Sequence, residues 1–153
     1  MNTQKVTDHI VKWLTDYAAQ IGVKGYVIGV SGGIDSAVTS SLCAMTGLDV
    51  LCVEMPIHQH PDHVTRAQEH IRNLKSKFNN VRDVRSDLTH LFDTFVDNMP
   101  EINDSDHVAL ALGNTRARLR MTTLYYHAGV NGLLVAGTGN KVEDFGVGFY
   151  TKY

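Results

Sequence analysis

The chain has 153 residues, 43% of them hydrophobic and 20% charged, with a formal net charge of −2. That length suits one domain with a substantial core, and the near-neutral balance offers no bulk attraction to nucleic acid or to a membrane surface, so neither is expected as a partner. No apolar run is long enough to cross a bilayer, and Cys43 and Cys52 form no C-x-x-C pair. Both cysteines fall where a core is expected and read as small buried hydrophobes of a reduced cytoplasm.

Val6, Ile10, Trp13, Leu14, Tyr17, Ala18 and Ile21 recur at helical spacing, which predicts an amphipathic helix from about Thr3 to Ile21 ending near Gly22. Asp8 and Asp16 lie within it, and it lacks the apolar stretch of a signal peptide. Residues 25–30 are the first strand, followed by Gly29–Ser36 as a loop and by Ala37–Met45 as a helix that Gly47 ends. Asp49–Met55 is a continuous apolar run of strand length, the pattern of a parallel strand buried on both faces. His58, His60 and His63 follow it. A metal set needs a fourth ligand and a rigid frame that this stretch does not show, so a polar loop at the mouth of a cleft is the preferred reading.

Asp62–Phe78 is the next helix, Asn79-Asn80 a turn, and Val81–Ser86 a third strand whose Arg82, Asp83 and Arg85 suggest an exposed edge. Leu88–Met99 is a short helix closed by Pro100. Ser105 or Asp106 caps a long helix to about Ala128, which Gly129 and Asn131-Gly132 are expected to stop. Leu133–Ala136 is the fourth strand, and a glycine-rich tail follows. Strand and helix alternate throughout. This argues an α/β fold, a doubly wound parallel sheet with helices on both faces, whose ligands sit at the carboxyl ends of the strands.

The stretch Gly29-Val30-Ser31-Gly32-Gly33-Ile34-Asp35-Ser36 carries the chemistry. A strand that turns through glycines into a helix brings backbone N–H groups and a helix N-terminus to an anion. Ser31 and Ser36 can add hydroxyl hydrogen bonds. Asp35 would repel a phosphate unless a divalent cation sits between them. No Lys follows the glycines and the Gly-x-Gly-x-x-Gly spacing is absent, so neither a Walker A loop nor a dinucleotide fingerprint is present. A bare turn would not need two hydroxyls and a carboxylate around two glycines. At the same sheet edge, Thr138 can hydrogen-bond a nucleotide, Glu143 can complete a magnesium site with Asp35, and Lys152 can neutralise charge on the triphosphate or a second substrate. Arg116, Arg118 and Arg120 stand at alternate positions and cannot share one helix face, so at least one is expected to turn toward the sheet edge or a partner.

Ser-Gly-Gly-Ile-Asp-Ser resembles the pyrophosphate loop of the ATP pyrophosphatases, which activate a substrate as an adenylate. With Met-Pro-Ile-His-Gln, Ala-Arg-Leu-Arg-Met and the stretch from Gly137 to Tyr153, the chain resembles the ammonia-dependent NAD synthetases over nearly its whole length. The resemblance implies an adenine nucleotide alpha hydrolase-like, Rossmann-like fold and amidation of deamido-NAD by ammonia, with ATP consumed and AMP and pyrophosphate released. It also implies ATP on Gly29, Val30, Ser31, Gly32, Gly33, Ile34, Asp35, Ser36 and Thr138, magnesium on Asp35 and Glu143, deamido-NAD on Arg118 and Lys152, and a homodimer. No nucleophile or general base is assigned. Family members continue with a Gly-Asp-Gly-Gly-type segment and a further active-site Lys and Thr, so residues 1–153 are expected to be the N-terminal portion of one such domain, its sheet incomplete at the C-terminus. Without a glutaminase segment, free ammonia or a separate donor is expected. The alternatives are another ATP pyrophosphatase, such as a GMP synthetase or a tRNA-thiolating enzyme, and a catalytically silent nucleotide-binding module. The absent C-x-x-C and the lack of a basic patch count against thiolation.

Overall fold

The computed structural model describes residues 2–100 and 105–148, apart from the side chains of Ser105, Asp106 and Val147. Lys152 and the expected cap at Ser105 or Asp106 therefore lie outside the described residues.

The first helix, α1, spans Thr3–Ile21; the Asn2 side chain accepts the Lys5 N–H at its start, and Gly22, at φ 72°, ends it. Then come β1 (Gly25–Gly29), α2 (Ile34–Met45), β2 (Asp49–Glu54), α3 (Pro61–Lys77), β3 (Val81–Arg85), α4 (Thr89–Asp97), α5 (Ser105–Asn131) and β4 (Leu134–Val135). All pairings are parallel, in the order β3-β2-β1-β4. The charged third strand lies at the edge, as its Arg82 and Arg85 suggest; Arg82 holds Asp49 of β2 through two bonds of 3.0 Å.

The alternation of β1 divides the core. Tyr26, Ile28 and Val30 point to one face with Ala18 of α1, Cys43 and Ala44 of α2, and Ala67, Ile71 and Leu74 of α3. Val27 points to the other with Leu51, Val53, Phe92 of α4 and Ala128 of α5. Helices thus cover both faces, as a doubly wound sheet requires. The Tyr26 hydroxyl donates to Leu14 O at 2.6 Å, tying α1 to the central strand. Both cysteines are fully buried, and burial pushes each thiol up to about 12.

The largest departures from the sequence reading are four. The second helix begins at Ile34 rather than Ala37, so Ile34, Asp35 and Ser36 form its first turn instead of the loop. Gly129 does not stop α5, which runs on to Asn131; Gly132, at φ 67°, is the residue whose left-handed conformation ends it. The fourth strand is the pair Leu134–Val135, shorter than the apolar run around it. The glycine-rich tail contains a π-helical turn, Val142–Val147, started by Asn140, whose side chain accepts the N–H groups of Val142 and Glu143 at 3.0 Å each. Among the described residues no helix is long and apolar enough to cross a membrane.

Candidate nucleotide site

At the carboxyl end of β1 the ladder runs one bond further, Val30 N–H donating to Val53 O at 3.0 Å, before the chain turns through Ser31, Gly32 and Gly33 into α2. Gly32 has φ 82°, and a Cβ there would lie 2.4 Å from the His63 carbonyl oxygen, so both the angle and the space call for glycine. Gly33 is the N-cap of α2 and makes no side-chain capping bond, which leaves the first N–H groups of the helix for an outside acceptor.

Ser36 organises the loop from beneath. Its buried Oγ accepts the Ser31 N–H at 3.2 Å, lies 3.2 Å from Ser31 Oγ and donates to Gly33 O at 3.0 Å. With that hydrogen spent, Ser31 Oγ is the donor in the contact with Ser36 Oγ, and it also accepts the Gly33 N–H at 3.3 Å, so both hydroxyls brace the loop from within. Ile34 is 74% exposed, so what it can offer a ligand is the backbone N–H at the start of α2 rather than its apolar side chain. Asp35 is half-buried in the first turn of α2 and has no hydrogen bond or ion pair among the described residues. A carboxylate beside uncapped helix N–H groups, uncommitted and not serving as the cap, fits a hard divalent cation by the chemistry of its oxygens.

A cleft of about 400 Å³ opens beside the loop. Gly29, Val30 and Ser31 form one wall, Met55 and Gln59 after β2 another; Arg120, Met121 and Leu124 of α5 and Val135 to Thr138 after β4 complete it. Gly29 matters to its shape: a Cβ there would come within 3.0 Å of the Met55 methyl and 3.5 Å of Leu124. The structure therefore brings together the start of the loop and Thr138. It does not place Arg118, Asp35 or Glu143 in the cleft wall; Arg118 and Glu143 are exposed, the latter on the π turn.

Of the three arginines, Arg120 turns to the sheet edge. Its Nε donates to Met55 O at 3.0 Å; burial and then the charge of Arg116 lower its pKa from the ordinary value. Arg116 instead stacks over the Phe92 ring, 4.4 Å from its centroid. The alternate spacing carried the signal that one would turn inward, but not which. Gln59 was not singled out from sequence; it lines the cleft and donates to Ser31 O at 3.4 Å. The histidines have separate tasks. His58 pairs with Asp93 at 2.6 Å, His60 accepts the Asp62 N–H at the start of α3, and His63 lies against Arg66. Among the described residues no three His, Cys, Asp or Glu gather as a metal set.

The family model of NAD synthase matches residues 6–153. The chain belongs to the NAD synthase family. Among the curated relatives, the NH3-dependent NAD+ synthetase of Finegoldia magna is 34% identical over all of this chain and 60% of its own length. That of Methanocaldococcus jannaschii is 36% identical over 98% of the chain and 56% of its own length. Among solved structures, the NMN synthetase of Francisella tularensis superposes with a TM-score of 0.86 at 29% identity, over 99% of this chain and 60% of that one. The NH3-dependent NAD synthetase of Campylobacter jejuni, in complex with nitrate, gives 0.85 at 28% identity, over 99% of this chain and 62% of that one. The chain spans about 60% of the length of the NAD synthetases it matches. The family and the parallel α/β fold expected from the sequence are both met.

Proposed function

We propose that the protein takes part in the ATP-dependent amidation of deamido-NAD by ammonia, giving NAD, AMP and pyrophosphate. The observation that carries this reading is the glycine loop capped by Gly33 opening, with Thr138, onto one cleft in a chain of the NAD synthase family. A carboxylate does not react with ammonia at neutral pH, because its leaving group would be oxide. Transfer of AMP to the carboxylate makes the leaving group AMP, and ammonia then displaces it.

The chain's own part is placement and charge neutralisation. The N–H groups at the start of α2, with the half charge of its dipole, face the phosphates, and Ser31 lines the cleft beside them. Thr138 holds the nucleotide at the opposite wall. Asp35 and Glu143 would hold magnesium, which supplies Lewis-acid stabilisation of the departing pyrophosphate. Arg118 and Lys152 would take the deamido-NAD, and we place the enzyme in the cytoplasm as a homodimer.

Pyrophosphate release tests the reading. The protein is expected to release it from ATP only with both deamido-NAD and ammonia present. Release with xanthosine monophosphate instead of deamido-NAD would refute the assignment, and magnesium-ATP binding without any turnover would favour a silent nucleotide-binding module.

A further inference from the structure

We propose that His70 is a positioning residue for the phosphate loop, acting through Ser40 and the first turn of α2; this rests on the reading of that loop as the seat of the ATP phosphates. Ser40 lies one helical turn beyond Ser36 and is fully buried. Its Oγ is 2.7 Å from Ser36 O and 3.2 Å from Ala37 O. Carbonyl oxygens only accept, so the single hydroxyl hydrogen goes to them. His70 Nε2, 2.8 Å from the same Oγ, is therefore the donor. Burial lowers the His70 pKa, which favours a neutral ring, and the bond to Ser40 places its hydrogen on Nε2.

Two features make this bond matter to the loop. The tightest bend, at Gly32, rests on α3: a Cβ there would come 2.4 Å from His63 O and 3.3 Å from Ala67 N. The N–H groups that face an anion belong to α2. One side of the loop is thus carried by α3 and the other by α2. Among the described residues the His70–Ser40 bond is the one side-chain hydrogen bond that joins those two helices. It sets how the helix end sits against the platform under Gly32, from a point outside the cleft. Affinity for a phosphate chain depends on that preorganisation, because each N–H must already point at its oxygen.

The test compares His70→Phe, which keeps a ring but removes the donor, with His70→Gln, whose amide returns an N–H near the same place. Calorimetry is run with magnesium pyrophosphate, which engages the loop, and with adenosine, which engages the cleft. His70→Phe is expected to weaken pyrophosphate binding about tenfold, the scale of one lost hydrogen bond, and to leave adenosine within about twofold. His70→Gln is expected to restore pyrophosphate binding to within about threefold of the parent. Ser40→Ala is expected to match His70→Phe, with the double variant no weaker than either single one. If His70→Phe fails to fold, Ser40→Ala against His70→Gln makes the same comparison. Unchanged pyrophosphate affinity in the donor-free variants overturns the proposal. A parallel loss of adenosine binding also overturns it, since that is a general packing defect, as does failure of Gln to restore. A parent protein that binds neither pyrophosphate nor ATP removes the reading beneath it as well.

Discussion

At the scale of single residues, Asp35 separates a ligand role from a structural one. Gly33 is the N-cap of α2 and Asp35 makes no bond among the described residues, so capping does not account for it. Asp35→Asn keeps the size and removes the charge. If Asp35 holds magnesium, steady-state turnover is expected to fall about a thousandfold, since a metal's charge stabilisation is worth several kcal/mol. Stability is expected to drop by less than about 1 kcal/mol, the loss of a favourable charge at a helix N-terminus. Near-normal magnesium-dependent turnover would end the metal reading. Glu143→Gln is expected to behave alike, and the double variant to be little worse than either, because both carboxylates would serve one cation. The role proposed for Asp35 comes from the sequence, because an acid beside a loop read as phosphate-binding makes little chemical sense alone. The internal commitment of the Ser31 and Ser36 hydroxyls was not legible, because spelling does not say that the turn brings one against the other.

At the scale of elements, α5 shows where local pattern runs out. Its apolar residues run right round the helix: Leu124 lines the cleft and Ala128 is in the core, while Tyr125, Tyr126 and Val130 are largely exposed. Such a helix has no single stripe from which to read its rotation. The Arg116 and Arg120 side chains were therefore sorted by what stands opposite, the Phe92 ring and the Met55 carbonyl. Gly129 reads as a stop in the sequence but lies inside the helix, and a Cβ there would meet nothing within 4 Å. Gly129→Ala is accordingly expected to stabilise the protein by about 0.5–1 kcal/mol, a rise in Tm of roughly 2 °C. A stop residue would give the opposite sign, and thermal unfolding followed by circular dichroism decides between them.

At the scale of the whole molecule, the two thiols buried in one layer of the core make stability depend on alkaline pH. Each is raised from 9.0 to about 12 by burial first; the neighbouring charge adds to it, from Cys52 for Cys43 and from Asp83 for Cys52. A folded pKa above the unfolded one contributes stability that is fully present below the unfolded value, near pH 9, and is lost as pH rises toward 12. Each thiol adds a slope of about 1.4 kcal/mol per pH unit inside that window. Urea unfolding at pH 7 through 10 is expected to show a flat region and then a fall beginning near 9. Cys43→Ala with Cys52→Ala, whatever the stability lost to the smaller side chains, is expected to flatten that fall. A fall of the same steepness in the double variant would assign it to other groups; Tyr26, also raised by burial, acts in the same direction above its ordinary value.

The order of elements, the parallel sheet and the glycine turn between β1 and α2 were determined by the sequence itself, because each rests on near-neighbour chemistry. Apolar runs of strand length alternate with helical periods, and Gly32 and Gly33 stand where a strand must turn into a helix. The expected edge position of β3 came from charges on the strand itself. What only the tertiary structure decided is everything set by residues far apart in the chain. Arg120 reaches Met55 across 65 positions, and His70 meets Ser40 across 30. Gly32 needs to be glycine not only for its own φ but because α3 passes beneath it. Local pattern specifies which element forms; the side chain across the core, which no window of sequence contains, specifies what each residue in it is for.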